Sequence, residues 1–398
     1  MIRRLSFAVF ALLIAVACSQ TQTTSNDQIV LGAIYPLSGP QAEGGKQELA
    51  GVQAALRLSH ANVRLQVIDA TTPQAASAAV DTLVRTYHVP AILGTYGSTL
   101  SAAAAARAED LKTVYWETGA VADPITAHRH YVFRTVATGS ALGRMAVTFT
   151  HDVLLSRYNL STPRAVIVRV NDVYGRSVGG GEQDLAKTMG INVVDVIEYN
   201  PGAYNANVIT ARLAADRADF LWDVSYLDDG VAIWHAVLEK RLTFKGAIGT
   251  SSAFCMPAFS ERLGAGSIGV YAADKPDGDV AAAALSPAGR ALLAQAKAAY
   301  GGPMEIPAVA GFVGGWTFFH DVLPASGGSI DAESIREAAL KVDVQIGDSI
   351  NGGGVKFAGA GALDEGQNTR AAAVVGQWQA VGVMRVVYPP AFASPSAT

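Results

Sequence analysis

Short apolar runs that alternate with helix-like segments constrain this chain more than any other feature of its sequence. Eight runs rich in β-branched and aromatic residues span residues 29–35, 63–69, 91–96, 113–118, 165–170, 192–199, 218–225 and 245–251. The segments between them, such as "QELAGVQAALRLS" and "GVAIWHAVLEKR", place apolar residues at the spacing of one helix face. Strands that are apolar on both faces must be covered on both faces, so the pattern predicts parallel sheets between layers of helices.

The alternation is interrupted once, at "HRHYVFRTVATGSALGRMAV", after four of the eight runs. A chain of 398 residues is longer than one hydrophobic core usually supports, so the interruption is expected to separate two doubly wound α/β lobes. Crossings between the lobes are expected near residues 144, 273 and 350, which makes a three-segment hinge. The predicted lobes comprise residues 28–143 with 273–350 and residues 144–272 with 351–390, followed by a tail at 391–398.

Residues 1–18 have the composition of an export signal. "MIRR" supplies positive charge, and "LSFAVFALLIAVA" is an apolar run too short for a comfortable membrane span. Cys18 follows "AVA", and small residues before a cysteine resemble the bacterial lipobox, in which that cysteine carries a lipid anchor. Ala15 stands where the lipobox usually has leucine. Secretion with removal of the signal peptide and no lipid anchor therefore stays an alternative. Residues 19–27 are polar and are expected to tether the folded body to a membrane.

Charge and cysteine usage narrow the function further. The formal net charge is −4 at pH 7, so the chain has no basic footprint for nucleic acid. Cys255 is the second of two cysteines, and an exported chain with one cysteine outside its anchor motif has no disulfide framework. Cys255 is therefore expected to be a small buried residue.

Polar and small residues follow two neighbouring strands at the place where parallel-sheet proteins bind ligands. Ligands bind beyond the carboxyl ends of such strands, where loops lead into helix N-termini. In "VYWETGAVADPIT" the small side chains leave backbone N–H groups bare for an anionic or carbonyl oxygen, and the preceding run ends in "GTYGST". The residues expected to form one polar pocket are Tyr96, Ser98, Thr99, Thr118, Gly119 and Ala120.

Enzymatic motifs are weak in this sequence. The seven histidines show no HExxH or similar ligand spacing, so no metal site is expected. "GRSVGGG" lies between a strand and a helix, but it lacks the Lys-Ser/Thr of a P-loop and the spacing of GxGxxG.

The order of several motifs resembles a known family. "IVLGAIYPLSGPQAEGGKQELAGVQAAL", "AILGTYGST", "WETGAVADPIT", "YVFRT" and "VNDVYGRSVGGG" follow one another as in the type I periplasmic solute-binding proteins, in the branch that includes leucine/isoleucine/valine-binding proteins of ABC importers. "GVKFAGAGALDEGQNTRAAAVVGQWQ" is similar to the closing hairpin of that family. The resemblance covers nearly all of the chain beyond the export signal. It implies two lobes that close by a hinge around a bridging ligand.

The resemblance also implies ligand contacts at particular positions. In the amino-acid-binding members, a serine that matches Ser98 and a loop that matches Thr118 to Val121 hold the ligand carboxylate. A tyrosine that matches Tyr174 closes over the ligand, and a loop tyrosine matches Tyr226. An aromatic wall is expected from Tyr96, Trp116, Tyr174, Trp222 and Tyr226.

Three positions depart from the family pattern. The family's acidic residue that pairs with the ligand ammonium matches a position near Ser251, where this chain has no carboxylate. Gly44 stands where the family often has an aromatic residue in the first loop, and Val121 stands where it usually has a threonine hydroxyl. These departures disfavour an ordinary α-amino acid. A displaced negative charge, if the ligand has an ammonium, is expected from Asp223, Asp228 or Asp229.

Each candidate also has a structural alternative. Ser98 is suited to be a helix N-cap, which contributes about 1 kcal/mol. Trp116 and Trp222 are suited to the core as well as to a ligand wall. Asp228 and Asp229 begin a helix, where carboxylates stabilise the helix dipole.

The resemblance therefore implies a substrate-binding protein at the periplasm or cell-envelope surface, not an enzyme. Its partners would be a small-molecule ligand, an inner-membrane ABC permease and, through a lipid anchor, a membrane, with no cofactor, metal or nucleic acid. A hydrophobic or branched-chain amino acid is the family default, and an amide, a short acid or an aromatic acid is the rival because of Ser251. Two alternatives stay open: a ligand sensor on the same fold, and a nucleotide-dependent enzyme with two Rossmann-like lobes.

Overall fold

The computed structural model describes residues 28–327 and 330–395 of the chain. The expected export signal, with Cys18, and the tether at 19–27 lie outside the described residues. Within them, the chain forms two α/β lobes, each built on one mainly parallel sheet. The prediction of two doubly wound lobes from the alternating runs is confirmed.

The first lobe is built on five parallel strands of the described chain, in the order β2-β1-β3-β4-β5. They are β1 (Ile29–Tyr35), β2 (Val63–Asp69), β3 (Ala91–Gly94), β4 (Val114–Glu117) and β5 (Val132–Arg134). β3 and β4 are buried along their whole length because helices cover both faces of the sheet. β1 lies between β2 and β3, so the strand order reverses there and leaves a crevice at the carboxyl ends.

The second lobe is built on seven described strands in the order β12-β11-β10-β9-β8-β6-β7. They are β6 (Arg164–Val170), β7 (Asn192–Tyr199), β8 (Phe220–Val224), β9 (Gly246–Thr250), β10 (Tyr271–Asp274), β11 (Val374–Ala380) and β12 (Val383–Tyr388). The last two strands are an antiparallel hairpin added to the edge of the parallel sheet. The eight apolar runs did not include β5, β10, β11 or β12.

Helices cover both sheets. In chain order they are α1 (Ala42–Ser59), α2 (Pro73–Arg85), α3 (Ser98–Asp110), α4 (Gly139–Phe149), α5 (Leu155–Tyr158), α6 (Val173–Thr188), α7 (Ala206–Asp216), α8 (Leu227–Glu239), α9 (Pro257–Leu263), α10 (Pro287–Tyr300), α11 (Ile306–Trp316), α12 (Leu323–Ala325) and α13 (Ala332–Ala339). Short 3-10 turns lie at Asp123–Ile125, Gly264–Ser267 and Ala282–Ala284, and π-helical stretches at Thr150–Leu154 and Thr317–Val322. α1 and α11 pack unusually closely because Gly51 and Gly311 meet backbone carbonyl groups of the facing helix, where any side chain would clash.

Three segments of the described chain connect the lobes, and they lie away from the sequence-based boundaries. Leu142 in α4 already packs in the second core, so the first crossing is earlier than predicted. β10 continues to Asp274 in the second sheet, so the second crossing is slightly later. Val355 and Phe357 pack in the first core, so the third crossing follows them and precedes β11. Which core a loop joins depends on packing in three dimensions, which the local pattern does not specify.

One stretch of the described residues, Ile306–Ala325, is long and apolar enough to cross a membrane by length and composition. In this fold 83% of its most apolar window is buried inside the protein. It contains α11, which packs against α1 in the first lobe, so the segment has the surroundings of a core helix.

Candidate ligand-binding crevice

A crevice separates the two lobes where the carboxyl ends of their parallel strands face each other. Its centre is a cavity of about 20 Å³ between Gly44 and Tyr96 of the first lobe and Tyr226, Ser252 and Met256 of the second. Tyr226 also lines a second cavity of about 370 Å³. A third cavity of about 300 Å³ is lined by Cys255 and Pro257, the chain neighbours of Met256. The two larger cavities are each in the size range of small-molecule sites, whereas the central one has room for about one water molecule.

Glu117, the last residue of β4, gathers the backbone amides at the strand ends of the first lobe. Its carboxylate is fully buried and accepts hydrogen bonds from the N–H groups of Gly119 at 2.7 Å, Ala120 at 2.6 Å and Thr95 at 3.0 Å. Tyr115 donates its hydroxyl to the same carboxylate at 3.0 Å. Burial raises the pKa of Glu117 to about 7, against the lowering effect of these hydrogen bonds. The expectation of bare amides is therefore wrong here, because a buried carboxylate takes the available donors.

Ser98 ties the loop after β4 to α3. Its Oγ accepts hydrogen bonds from the N–H groups of Val121 at 3.3 Å and Ala122 at 3.2 Å. The helix N-cap is Gly97, which has no side chain to form a capping hydrogen bond. Ser98 is therefore not the helix N-cap that the sequence suggested. Its hydroxyl oxygen is already used as the acceptor of two backbone N–H groups in the first lobe.

Thr118 brings a helix residue, Glu48, into the crevice wall. Thr118 Oγ1 donates to Glu48 Oε1 at 2.6 Å and lies 2.8 Å from the Tyr35 hydroxyl. Glu48 is fully buried, and its Oε2 lies directly over Gly119, where a side chain would clash with it. Burial, reinforced by the neighbouring charge of Glu117, raises the pKa of Glu48 well above its ordinary value.

Tyr96 crosses the crevice from the first lobe to the second. Its ring lies against Gly44, where an added methyl group would come within 2.6 Å of ring atom Cε1, and its hydroxyl reaches the side chain of Ser252. Burial raises the pKa of Tyr96 well above its ordinary value, and the nearby charges of Asp274 and Glu48 act in the same direction. Gly44 lies in the first turn of α1, and the ring of Tyr96 occupies the space that a side chain at this position would take.

Asp172 joins the two lobes on the other side of the centre. Its Oδ2 accepts a hydrogen bond from Tyr226 at 2.7 Å within the second lobe and from Thr99 Oγ1 at 3.1 Å in the first. Its Oδ1 caps the N-terminus of α6. Tyr174 is buried beneath Tyr226, with ring centroids 5.3 Å apart, and donates its hydroxyl to the carbonyl of Thr250. Tyr226 therefore lines the crevice, while Tyr174 supports it from below.

A buried lysine stands beside Ser251. Lys275 Nζ lies 2.9 Å from Asp274 Oδ1 and 3.4 Å from Ser251 Oγ, and the lysine side chain is 8% exposed. Burial lowers the pKa of Lys275, but the charge and hydrogen bond of Asp274 together with the neighbouring Cys255 and Glu48 outweigh burial, so the pKa is raised. Ser251 and Ser252 both have positive φ angles, 55° and 41°, which cost non-glycine residues about 1 kcal/mol or more and cluster at functional sites.

Two tryptophans predicted as ligand walls lie in the hydrophobic cores instead. Trp116 packs on Phe133, and its Nε1–H donates to the carbonyl of Gly314 at 2.9 Å. Trp222 is fully buried in the second core, and its Nε1–H donates to Thr150 Oγ1 at 3.2 Å. Side chains alternate between the two faces of a strand, so a residue near a strand end points into the core as readily as toward a loop.

The three aspartates considered as a displaced charge each have other surroundings. Asp223 is 1% exposed inside the second lobe, where burial raises its pKa to about 7. Asp228 and Asp229 line the cavity of about 370 Å³. Asp228 pairs with Arg262 at 2.7 Å, and Asp229 accepts a hydrogen bond from Tyr199 at 3.2 Å.

Sequence reasoning missed several polar residues at the crevice, namely Gln41, Glu48, Asp172, Asp274 and Lys275. One signal was available for Glu48, because it occupies the buried face of α1, where a charged residue is unusual. Asp274 is the last residue of β10 and Lys275 follows it, and β10 was not among the strands predicted from the sequence. Among the described residues, no group of three or more His, Cys, Asp or Glu side chains is placed to hold a metal ion, and Cys255 is buried.

Comparison with known proteins gives a consistent match. A family model described as "Periplasmic binding protein" matches residues 28–380. A Leu/Ile/Val-binding protein homolog 8 of Brucella suis is 28% identical over 403 residues, with 97% of each chain covered. A Leu/Ile/Val-binding protein homolog 7 of the same organism is 25% identical over 397 residues, again with 97% of each chain covered.

Solved structures share the fold. A leucine-binding protein LivK from Thermotoga maritima has a TM-score of 0.78 at 18% identity, over 92% of this chain and 99% of that one. LivJ of Streptococcus pneumoniae, in complex with isoleucine, has a TM-score of 0.74 at 18% identity, over 91% and 100%. A solute-binding protein of Rhodopseudomonas palustris, in complex with benzoate, has a TM-score of 0.73 at 17% identity, over 93% and 100%.

Proposed function

The chain belongs to the periplasmic binding protein family, and we propose that it captures one small ligand in the crevice between its lobes and delivers that ligand to the permease of an ABC importer. Membership of the family makes it an extracytoplasmic substrate-binding protein and not an enzyme. The sensor and the nucleotide-dependent enzyme are not favoured by any contact in the crevice.

One observation supports this proposal most directly: both lobes contribute partly buried polar groups to a single crevice. Tyr96 reaches Ser252 across the gap, and Thr99 donates to Asp172 across it. Contacts that exist only when the lobes are together favour the closed form. A ligand that touches both lobes would add to them and shift the population further toward closure.

The ligand is proposed to be a compact molecule with an apolar portion, such as a hydrophobic amino acid, an amide or a small organic acid. Relatives of this fold were solved with isoleucine and with benzoate, which span that range. The apolar portion would lie against Tyr96, Tyr226 and Met256, since these side chains surround the centre of the crevice.

A thermal-shift screen of amino acids, organic acids, amides and polyols tests the proposal. A ligand that binds the folded form at 100 times its Kd stabilises it by about 2.7 kcal/mol, which gives a clear rise in Tm. The double variant Tyr96→Ala with Tyr226→Ala should lose the shift. Tyr87→Ala, at a residue 40% exposed and outside the crevice, is the matched control and should keep it. An equal shift in the double variant would count against this crevice.

Attachment to a membrane through Cys18 is proposed as well. Its support is the small-residue motif before the cysteine, which lies outside the described residues. Mass spectrometry of the mature N-terminus should find a lipid on Cys18, and Cys18→Ala should release the protein in soluble form. An unmodified cysteine in the membrane fraction would end this part of the proposal.

A further inference from the structure

A further cavity lies within the first lobe, outside the crevice, and is called the first-lobe cavity below. Its volume is about 120 Å³, and none of its described lining residues also lines a cavity of the crevice. Aliphatic side chains from α10, α11 and the segment after α13 form much of its wall, namely Leu292, Val313, Val344, Ile350 and Val355. A dry apolar cavity of about 150 Å³ in another protein holds benzene, so the first-lobe cavity has room for about one aromatic ring.

Stacked rings on α11 and the π-helical stretch after it also line this cavity. The rings of Phe312 and Trp316 have centroids 5.9 Å apart and planes 7° apart. The ring of Trp316 in turn stacks on that of His320, at 4.3 Å and 16°. All three residues line the first-lobe cavity. A flat ring bound there would therefore contact aromatic as well as aliphatic side chains, which favours an aromatic ligand.

Asp321 places an unused acceptor at the first-lobe cavity. It lines the cavity, and its Oδ1 lies 2.7 Å from Nδ1 of His320. Its Oδ2 has no hydrogen-bond partner among the residues that the structure describes. The Asp321 side chain is 27% exposed, so this oxygen belongs to the rim of the cavity, where a bound molecule could donate to it.

The sequence around Asp321 occurs twice in the chain. "TFFHDVL" at 317–323 and "TFTHDVL" at 148–154 differ at one of seven positions. The first copy forms the π-helical stretch after α11, and the second copy includes the π-helical stretch after α4. α11 packs on α1 and α4 packs on α6, and both α1 and α6 follow the first strand of their lobe. The two copies therefore occupy equivalent places in the two lobes, and π-helical stretches are frequent at functional sites.

The copy in the second lobe shows what the unused oxygen can hold. His151 Nδ1 lies 2.8 Å from Asp152 Oδ1, and Tyr388 donates its hydroxyl to Asp152 Oδ2 at 2.8 Å. The Tyr388 ring packs on Phe149, with centroids 5.7 Å apart. A phenol group supplied by the chain thus occupies the oxygen that corresponds to Asp321 Oδ2.

The first lobe has no equivalent of this tyrosine in the part of the chain that the structure describes. Tyr388 belongs to β12, in the hairpin at the edge of the second sheet, and the described strands of the first sheet include no such hairpin. The segment 344–355, which lines part of the first-lobe cavity, contains no aromatic residue. An acceptor that is matched by a phenol in one lobe therefore faces a ring-sized cavity in the other.

We infer that the first-lobe cavity is a second binding site, for a small aromatic molecule that carries a hydroxyl group. The ring lies in the cavity beside Trp316, and its hydroxyl donates to Asp321 Oδ2 as that of Tyr388 donates to Asp152 Oδ2. The ligand class is that of simple phenols. A carboxylate at this position is disfavoured because it would bring acceptors to an acceptor. This inference goes beyond the proposed function and does not depend on which ligand the crevice takes.

Fluorine NMR of two matched probes tests the site. 4-Fluorophenol carries the hydroxyl group, and 4-fluorotoluene has a methyl group in its place. The wild-type protein should bind 4-fluorophenol saturably. The crevice variant Tyr96→Ala with Tyr226→Ala should bind it equally well, because neither tyrosine lines the first-lobe cavity. Absence of saturable binding to the wild type would overturn the inference, as would loss of binding in the crevice variant, which would place the ring in the crevice.

A substitution that fills the cavity tests its location. Leu292→Phe adds volume to a lining side chain and should weaken the binding of both probes about tenfold, because an overpacked site excludes the ring. Leu293→Phe is the matched control, since Leu293 is also partly buried but does not line the cavity, and should leave both affinities unchanged. Far-UV circular dichroism checks that both variants fold. Equal affinities in a folded Leu292→Phe and in Leu293→Phe would overturn the inference.

The preference for one probe over the other tests the hydroxyl contact. The ratio of the affinities for 4-fluorophenol and 4-fluorotoluene should fall about tenfold or more in Asp321→Ala, because the hydrogen bond to a carboxylate is lost. Asp152→Ala removes the corresponding aspartate of the second copy and should leave the ratio unchanged. An unchanged ratio in Asp321→Ala would overturn the inference. If Leu292→Phe fails to fold, this ratio and the crevice variant decide the matter without it.

Discussion

Replacing Glu182 by glutamine should make the protein progressively more stable than the wild type as the pH rises from 5 to 8. Glu182 lies on α6 in the core of the second lobe and is 0% exposed. Its Oε1 accepts one long hydrogen bond, 3.4 Å, from Thr250, and its Oε2 has no partner in the described residues. Burial raises the pKa of Glu182 to about 8, and the charge of Asp223 adds to this.

The magnitude follows from proton linkage. The folded protein holds a proton on Glu182 up to about pH 8, whereas the unfolded chain releases it above about pH 4.5. The stability that Glu182 contributes is therefore complete below pH 4.5 and is lost as the pH rises through 8. A shift from 4.5 to about 8, at 1.36 kcal/mol per pKa unit, corresponds to about 5 kcal/mol. Glutamine does not titrate, so Glu182→Gln escapes this loss.

Urea unfolding of both proteins at pH 5, 6, 7, 8 and 9 measures the difference in unfolding free energy. The difference should grow in favour of Glu182→Gln by about 1.4 kcal/mol per pH unit and level off above pH 8. Glu261→Gln, at an exposed position, should show no such trend. A difference that is constant across this range would refute the reasoning, because it would mean that Glu182 ionises equally in the folded and unfolded chains.

Three further substitutions test the crevice. Gly44→Ala should push Tyr96 out of its position and reduce ligand affinity in calorimetry, whereas Gly180→Ala, in the open on α6, should leave affinity unchanged. Asp172→Asn should weaken the hydrogen bonds that join the lobes, and small-angle X-ray scattering of the ligand-free protein should then show a larger radius of gyration; an unchanged radius would mean that other contacts set the closure. Glu117→Gln should destabilise the protein by about 3 kcal/mol or more in urea, because it sets an amide group against backbone donors; a loss under 1 kcal/mol would contradict the network described here.

Much of the fold follows from patterns that are local in the sequence. The run at 29–35 is apolar throughout and the run at 165–170 is apolar except for Arg169, and each supplies the first strand of a parallel sheet. Parallel strands bring their carboxyl ends to one edge, so the sequence predicts that the loops with Tyr96 and Thr118 lie side by side. The crossing points were predicted less well, because Val355 and Phe357 join the first core only through contacts with distant residues.

The sequence predicts that the loops after β3 and β4 lie side by side, as they do in the structure, but it assigns the wrong partners to their polar groups. Amides expected to face a ligand are held by Glu117, which lies two and three residues before them, and by Ser98, from the neighbouring loop. Trp116 and Glu117 are consecutive, yet one joins the core and the other the hydrogen-bond network, because side chains alternate along β4.

The amino-acid sequence by itself determined the two α/β lobes and the sheet edge at which their loops gather, because burial of apolar runs and strand direction are local, repeating properties. Only the tertiary structure decided which polar atoms in the crevice are satisfied and which are free. Glu48 reaches Thr118 from 70 residues away and faces Lys275 from the other lobe. A hydrogen bond depends on where two distant side chains meet, and that position is fixed by the packing of the whole molecule.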